Sequence, residues 1–542
     1  MLTHIAVSTL ATEADWATLK STLGAGRENF LLASVLNDLK AAGALGAVFE
    51  SAYIDRDFSA AYSAFYSTVF QPYLKYCSRL HFFNVDVTDV SAAGDAEAIS
   101  RTLEEHDEHY LGYIVLRPLA HAPISSTVLS ATHLRGSPNQ EVAVRSSFQV
   151  HALGATLNVE GAPLTQQDTR IGACAQATIW TAARHFHNRH SGAWYSIPDI
   201  TEAALKPTDS ALTRSLPAGS DYLTCDNMVR AFRAIGQHPV VYAPNIVNGA
   251  SVWDRPTPRE IISRYTDSGI PVILGLQSAG TAVGHGVVAV GVERRDDLDL
   301  SALPPSPTSA EFITHVLVND DQRGTYCRLP HLAADKTGEY PFCLETEVAF
   351  IMVPLPSKVY MTAEIAEAIA RDVIGQAATG RKQFVERAMG PADAADWDED
   401  PDFYIAALAG GLVARTYLTF GWKYKARMMR NGVSDRLKSE LLSRQLPRYV
   451  WVTEFSLPAE SANHDPCQRL VRGHVVLDAT GSRFWESKLV VDLPGLLFVW
   501  SFDSRNPGAG SGLAINATKG ARPYWPKIRG LMDYSTCELP AV

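Results

Sequence analysis

The stretch Gly172-Ala173-Cys174-Ala175-Gln176-Ala177-Thr178-Ile179-Trp180-Thr181-Ala182-Ala183 sets one cysteine directly ahead of helix formers, with apolar side chains at Ala177, Trp180 and Ala183. The pattern predicts a buried helix that begins at the cysteine. Unpaired backbone N–H groups and the positive end of the helix dipole gather at such a terminus, and both favour thiolate over thiol. A thiolate so placed suits attack on a carbonyl carbon. It needs a base, and Gly284-His285-Gly286 supplies one: flanking glycines leave room for the imidazole, and the following Val287-Val288-Ala289-Val290-Gly291-Val292 reads as a buried strand. The base in turn needs orienting. Val316-Leu317-Val318-Asn319-Asp320-Asp321-Gln322-Arg323-Gly324 reads as a second strand ending in a turn, where Asn319 or Asp320 could accept the imidazole N–H and fix its tautomer. Cys, His and Asp in this order form the set that thiol acyl transfer requires.

The elements between these residues follow from the same patterning. Asp226 to Ile235 reads as a helix, Pro239 to Tyr242 as a strand, Pro258 to Ser268 as a helix and Pro271 to Leu276 as a strand. A cysteine opening a helix, then Gly-His-Gly-Val-Val-Ala-Val-Gly, then Val-Asn-Asp before a glycine turn, resembles the papain-like cysteine peptidases. Within them it is similar to the bacterial branch that processes double-glycine bacteriocin leaders. The resemblance covers residues 155–358 and implies Cys174 as nucleophile, His285 as general base and Asp320 as the orienting residue. It also implies a glutamine about six residues before the cysteine, as side-chain donor to the oxyanion. That position is Asp168, with Gln167 and Gln166 just upstream, so the sequence departs from the family there. An ionised carboxylate offers no donor, so Gln167, or Gln166 if the loop bulges, is the expected donor beside the Cys174 backbone N–H. Ala175-Gln176 also replaces the Gly-Pro common in that branch.

At 542 residues the chain is long enough for several domains, and the division expected is 1–154, 155–358 and 359–542. The expected fold class is α+β, with a central papain-like cysteine peptidase domain between two accessory α/β domains. A net charge of -10 argues against a large nucleic-acid surface, so the expected partner is a protein or peptide substrate. Neither a metal nor an organic cofactor is required, and oligomeric state is not legible. The 7 cysteines are scattered without a Cys-x-x-Cys pair, which fits a reduced compartment better than a disulfide framework. The first residues carry no basic region or long apolar core, and no run approaches the ~18 apolar residues of a membrane helix. The expectation is a soluble, cytoplasmic, bacterial protein.

In the N-terminal part, Phe58, Tyr62, Phe65, Tyr66, Phe70 and Tyr73 fall at helical spacing and predict one apolar helix face. Leu80 to Val87 and Tyr110 to Leu116 read as strands. Arg184 to His190 closes the cysteine helix; its histidines raise the question of a metal, but cationic groups in a last turn also offset the dipole. Asp296 to Ser309 is proline-rich and polar and reads as an exposed loop near the active-site end of the sheet. Beyond Pro356, Thr362 to Ile374 reads as a helix, Gly390 to Asp402 as an acidic loop and Gly432 to Gln445 as a helix. Tyr449 to Phe455, His474 to Ala479, Lys488 to Val491 and Leu496 to Phe502 read as strands. Two stretches there compete for attention. Lys423 to Arg430 is a basic run that reads as a solvated face, and Gly473-His474-Val475-Val476 imitates the Gly-His-strand motif without glycine on both sides. The functional expectation is a thiol protease cleaving a peptide or isopeptide bond. Alternatives with the same fold are a transglutaminase-like or N-acyltransferase enzyme, or a catalytically silent binding scaffold.

Overall fold

The computed structural model describes residues 5–501, except 27–28, 135, 137–138, 169–172, 207–222, 248–249, 279, 282–283, 296, 337–339, 392–399, 431–434, 464–468 and 482–486, together with 512–517 and 525–526. It is a mixed helix-and-sheet protein with two compact units. The first holds Met1–Ser251, Pro271–Gly291 and Val316–Pro354; the second holds Val252–Ile270, Val292–His315 and Leu355–Val542. These units are drawn differently from the division 1–154, 155–358 and 359–542. Residues 154 and 155 lie at the turn of an antiparallel hairpin, Ser146–Ala152 with Ala155–Gly161, inside the first unit.

Two sheets build the first unit. One runs Ile5–Thr9, Gly46–Tyr53, Cys77–Phe83, Tyr110–Leu116, Ile124–Leu129 and Pro163–Leu164, each strand hydrogen-bonded to the next. The other has the order Gln237–Tyr242, Val348–Pro356, Val272–Leu276, His285–Arg294, Ile313–Asp320, Gly324–Pro330. In the second sheet the runs of Val272–Leu276 and His285–Arg294 are buried on both faces, which is why they read as continuous apolar stretches instead of alternating ones. One apolar core serves both sheets: Leu32, Val35, Phe82 and Ile114 cluster with Val288, Val290 and Leu317. Tyr326 ties the sheets by polar bonds as well, its hydroxyl donating to Leu129 O (2.8 Å) and accepting from Ala162 N–H (3.0 Å). A third strand, Gln140–Val142, pairs with the histidine strand. Its backbone comes so close that a Cβ on Gly291 would sit 2.3 Å from Glu141 O, so only glycine fits there.

The elements expected between cysteine and histidine are present with ends shifted by a residue or two: helix Cys225–Ala234, strands Gln237–Tyr242 and Val272–Leu276, and helix Pro258–Asp267. That last helix belongs to the second unit, where Arg264 forms a two-pronged pair with Glu367 (3.0 and 3.1 Å) and the Tyr265 ring meets Trp451 edge-on. The aromatic stripe is helical only from Arg56 to Tyr66, ending in a π-turn over Tyr62–Tyr66, and Phe70 stands fully exposed beyond it. The strand expected over Leu80 to Val87 is Cys77–Phe83.

In the second unit an antiparallel sheet runs Val413–Phe420, Tyr449–Ser456, Gly473–Asp478, Lys488–Leu493, Leu496–Ser501, Gly512–Ala517. The helix expected to end at Ile374 continues to Met389, since Ala377, Ala378 and Val385 extend its buried face where weakly apolar alanines give little signal in sequence. Of the acidic stretch, residues 392–399 lie outside the described residues, and Pro401–Leu408 is a helix capped by Asp400. The helix expected over Gly432 to Gln445 is described over Asp435–Ser443. The proline-rich stretch is exposed or half-buried as far as Ser306, but it is not near the active-site end of the sheet. It leaves the end of the histidine strand opposite to His285, Thr308 is buried, and Arg371 holds it by donating to Ser306 O (3.2 Å) and Pro307 O (2.6 Å).

Candidate active site

Cys174 is the first residue of helix Cys174–His190. The helix starts there because Ala173 is extended and the Gln176 side chain reaches back to accept the Ala173 N–H (3.1 Å); it stops at Ser191, whose φ of 53° is left-handed. No acidic residue stands in its first turn, whereas His187, Arg189 and His190 occupy its last, so the positive terminus at Cys174 is left uncancelled by a carboxylate of its own helix. Ile179, Trp180 and Phe186 bury its apolar side. Asp57 fixes its rotation, accepting from Trp180 Nε1 (2.9 Å) and from Arg184 (2.7 and 2.9 Å).

His285 is the first residue of its strand, half-buried, and Gly286 behind it faces the cysteine helix: a Cβ there would lie 3.4 Å from Thr178 Cγ2 and 3.8 Å from the Cys174 carbonyl carbon. The close approach needs a small residue, which gives the Gly-His-Gly pattern a physical cause. His285 Nε2 meets Asp320 Oδ1 at 2.9 Å, and the Cys174 thiol lies close enough to the imidazole to help raise its pKa. Nε2 is engaged by the carboxylate, so Nδ1 is the nitrogen open to the thiol, and the Gln322 amide also approaches it at 3.3 Å.

Asp320 is fully buried and its carboxylate is well satisfied. Besides His285 it accepts the Gln322 backbone N–H (2.9 Å) and the Tyr340 hydroxyl (2.6 Å). Burial raises its pKa, but these donors and the imidazole charge outweigh burial and hold it below the ordinary carboxylate value. Asn319, the other residue open from sequence, points elsewhere: its amide donates to Ala162 O (3.3 Å) and Pro163 O (3.0 Å) and its oxygen accepts from Tyr326 N–H (3.0 Å).

Asp321 is the contributor that sequence reasoning missed. Its carboxylate is 3% exposed, stands 3.9 Å from His285 Nε2, and neither oxygen has a hydrogen bond of good geometry. Burial pushes its carboxyl up to about 7, with the Asp320 charge adding to the rise. For His285, burial works against the charged ring, but the bonds to Asp320 and Cys174 and the charges of Asp320 and Asp321 raise its pKa from 6.5 to about 10. At neutral pH the ring facing Cys174 is therefore an imidazolium. Phe342 stacks on it with centroids 6.3 Å apart.

The three upstream residues separate cleanly. Gln166 turns its side-chain oxygen to the Ile124 N–H (3.0 Å). Asp168 is buried and accepts the Tyr66 hydroxyl (2.7 Å), which makes it part of the packing under the aromatic helix. Gln167 is half-buried and lines, with Ala173, Ala177 and Trp180, a cleft of about 410 Å³ beside the start of the cysteine helix.

The remaining histidines lie apart from this site. His187 Nδ1 bonds Gly192 O (2.7 Å) and His190 stacks on Phe186. His474 is buried in the second unit, with Nε2 on the Tyr424 hydroxyl (2.8 Å) and Nδ1 3.7 Å from Asp492. Among the described residues, the group whose ligand atoms come close enough for a metal ion is His285, Asp320 and Asp321, three of the residues just described. Among the described residues no helix is long and apolar enough to cross a membrane, and Cys77, Cys174, Cys225, Cys327 and Cys343 are free thiols.

No known protein family matches the sequence, and no curated protein is similar to it. Among solved structures, the peptidase domain of Streptococcus ComA, a bi-functional ABC transporter of a quorum-sensing pathway, is weakly similar. It aligns over 35% of this chain and 96% of that domain, at 14% identity and a TM-score of 0.21. A likeness of that size says nothing about what this chain does.

Proposed function

We propose that this chain is a cysteine peptidase of the papain-like kind, hydrolysing a peptide or isopeptide bond through Cys174, His285 and Asp320. One observation carries the reading: an imidazole bonded through Nε2 to a buried carboxylate (2.9 Å) and close beside a thiol that opens a helix. Cys174 Sγ attacks the carbonyl carbon, and the carbonyl π electrons move to oxygen. The oxyanion takes the Cys174 backbone N–H and the Gln167 side-chain amide. His285 gives its Nδ1 proton to the leaving nitrogen as the C–N bond breaks, leaving a thioester. The ring, now neutral, takes a proton from water, which attacks the thioester and expels the thiolate. Asp320 keeps the tautomer fixed throughout, with the Tyr340 hydroxyl and the Gln322 backbone N–H donating to Asp320.

The test is a thiol-reactive peptide probe followed by mass spectrometry. The proposal expects preferential labelling at Cys174, lost in His285→Ala; labelling no faster than at Cys225 makes the domain a silent scaffold. Adding an amine to the acyl-enzyme then separates hydrolysis from acyl transfer, since a transferase yields the amide at the expense of the acid.

A further inference from the structure

His285, Asp320 and Asp321 all belong to the first unit, and one nitrogen and two carboxylate oxygens from them lie within 4.8 Å of one another. Asp320 is matched to the ring, to the Gln322 N–H and to the Tyr340 hydroxyl. Asp321 is 3% exposed, yet both of its oxygens are buried without a hydrogen bond. The nearer one stands 3.9 Å from Nε2, the nitrogen that Asp320 already engages. A buried carboxylate left so is costly, and a cation is what satisfies it. Among the described residues His285 is the ion-pair partner of both carboxylates, so with both ionised an imidazolium leaves one negative charge unmatched. A divalent ion that displaces the Nε2 proton leaves none. An ion of this kind needs no cavity, only a gap between its ligands. Zinc bonds histidine nitrogen and carboxylate oxygen at about 2.0–2.2 Å, which sets two ligand atoms roughly 3–4 Å apart. Nε2 stands 2.9 Å from Asp320 Oδ1 and 3.9 Å from Asp321 Oδ1, close to that spacing. The His285 side chain is 12% exposed, which leaves a path for the ion and for a water as fourth ligand.

We propose that His285, Asp320 and Asp321 bind a divalent metal ion of the zinc class, which blocks the imidazole as a base while it is bound. The binding stands on the geometry alone; the effect on chemistry rests on the reading of Cys174 and His285 as a working pair. The metal takes Nε2 and sends its proton to solvent. The ring then keeps its one remaining proton on Nδ1 and has no free nitrogen to take the thiol proton. Calorimetry on the full, reduced chain, stripped beforehand with a chelator and titrated with Zn²⁺, tests the site. Saturable binding is expected, with Kd near or below about 10 μM. Cys174→Ser removes the thiol beside the ring and should leave that binding unchanged, because the three ligands lie on the Nε2 side. Asp321→Asn should weaken it at least about tenfold, since losing even an outer-sphere partner costs that much. NMR signals of the His285 ring must shift as Zn²⁺ is added, which keeps the site testable if that variant does not fold. Labelling of Cys174 by a thiol-reactive peptide probe should slow as the wild-type site fills, and not in Asp321→Asn over the same range. No saturable binding, no shift of the ring signals, binding lost in Cys174→Ser, or binding unchanged in a folded Asp321→Asn protein overturns the site. Binding that passes both variants while labelling stays as fast keeps the metal site and refutes the pairing of Cys174 with His285.

Discussion

Asp321→Asn removes a charge from the candidate site while keeping the shape of the side chain. Two unit charges 3.9 Å apart, as Asp321 and His285 are, attract by roughly 4 kcal/mol at an effective dielectric of ~20, an upper bound of about three pK units on the imidazole. The carboxyl titrates at about 7, so its support for the imidazolium switches on as pH rises through neutrality. In the wild type the ring keeps its proton until about 10. In the variant that limb should move down by roughly one to three units, within the bound just given. Alkylation of Cys174 by iodoacetamide, followed against pH, reads the change without a known substrate, and NMR titration of the His285 ring reads it directly. Stability gives an independent sign. A carboxyl raised from 3.8 to about 7 stabilises the fold only while protonated, so the wild type loses up to about 4 kcal/mol as pH climbs across that window. The variant should lose that slope, whatever its absolute stability. Superimposable alkylation profiles and equal slopes would refute the placement of Asp321 against the imidazole.

Three further outcomes are expected. His285→Ala should lower Cys174 reactivity and turnover by several orders of magnitude, whereas His474→Ala, which loses a buried bond to Tyr424, should cost about 1–3 kcal/mol in denaturant melts and leave Cys174 labelling within a few-fold. Gln167→Ala should cut kcat about a hundred- to thousand-fold with little change in KM; Asp168→Ala should act mainly on stability, because it leaves the Tyr66 hydroxyl without its acceptor. Tyr340→Phe takes one donor from Asp320, whose depressed pKa stabilises the fold above the ordinary 3.8 and whose contribution is lost as pH falls. Acid unfolding of that variant, followed by circular dichroism, should therefore begin at higher pH than in the wild type.

Much of the site's scaffold was legible because it rests on local signals. A helix that opens at its cysteine, glycines around a histidine and a β-branched run each leave a mark within a few residues. The choice between Asn319 and Asp320 was also within reach of the strand period. Leu317 and Asn319 share one face, where Leu317 joins the core under the N-terminal sheet and Asn319 bonds Ala162 and Pro163, while Asp320 takes the other. What could not be read depends on contacts far apart in sequence. Tyr340 and Phe342 reach the site from a segment without regular structure, and Asp321 comes near the imidazole because the chain turns after Asp320 and leaves the alternation. The helix Pro258–Asp267 was legible as a helix, but not that its polar residues are buried too, matched by Glu367 and Arg415 from segments a hundred or more residues on.

The N-terminal sheet has a more direct relation to the site than an accessory domain needs. Strand Pro163–Leu164 pairs with Thr127 and Val128, so the sheet fixes where Thr165 to Asp168 run. Gln166 is pinned to Ile124 and Asp168 to Tyr66, and Gln167 between them is left to face the cleft beside Ala173. The same region holds the cysteine helix through Asp57, and it shares its core with the histidine and aspartate strands through Val288, Val290 and Leu317. The cysteine helix, the histidine strand and the segment carrying Gln167 are thus all referenced to one block of packed residues. Close packing of that kind transmits small displacements, because a core can neither compress nor leave voids cheaply. The first 164 residues are accordingly part of what sets the distance between Cys174 and His285, and excising them would remove most of the shared core along with the anchors of Gln166 and Asp168.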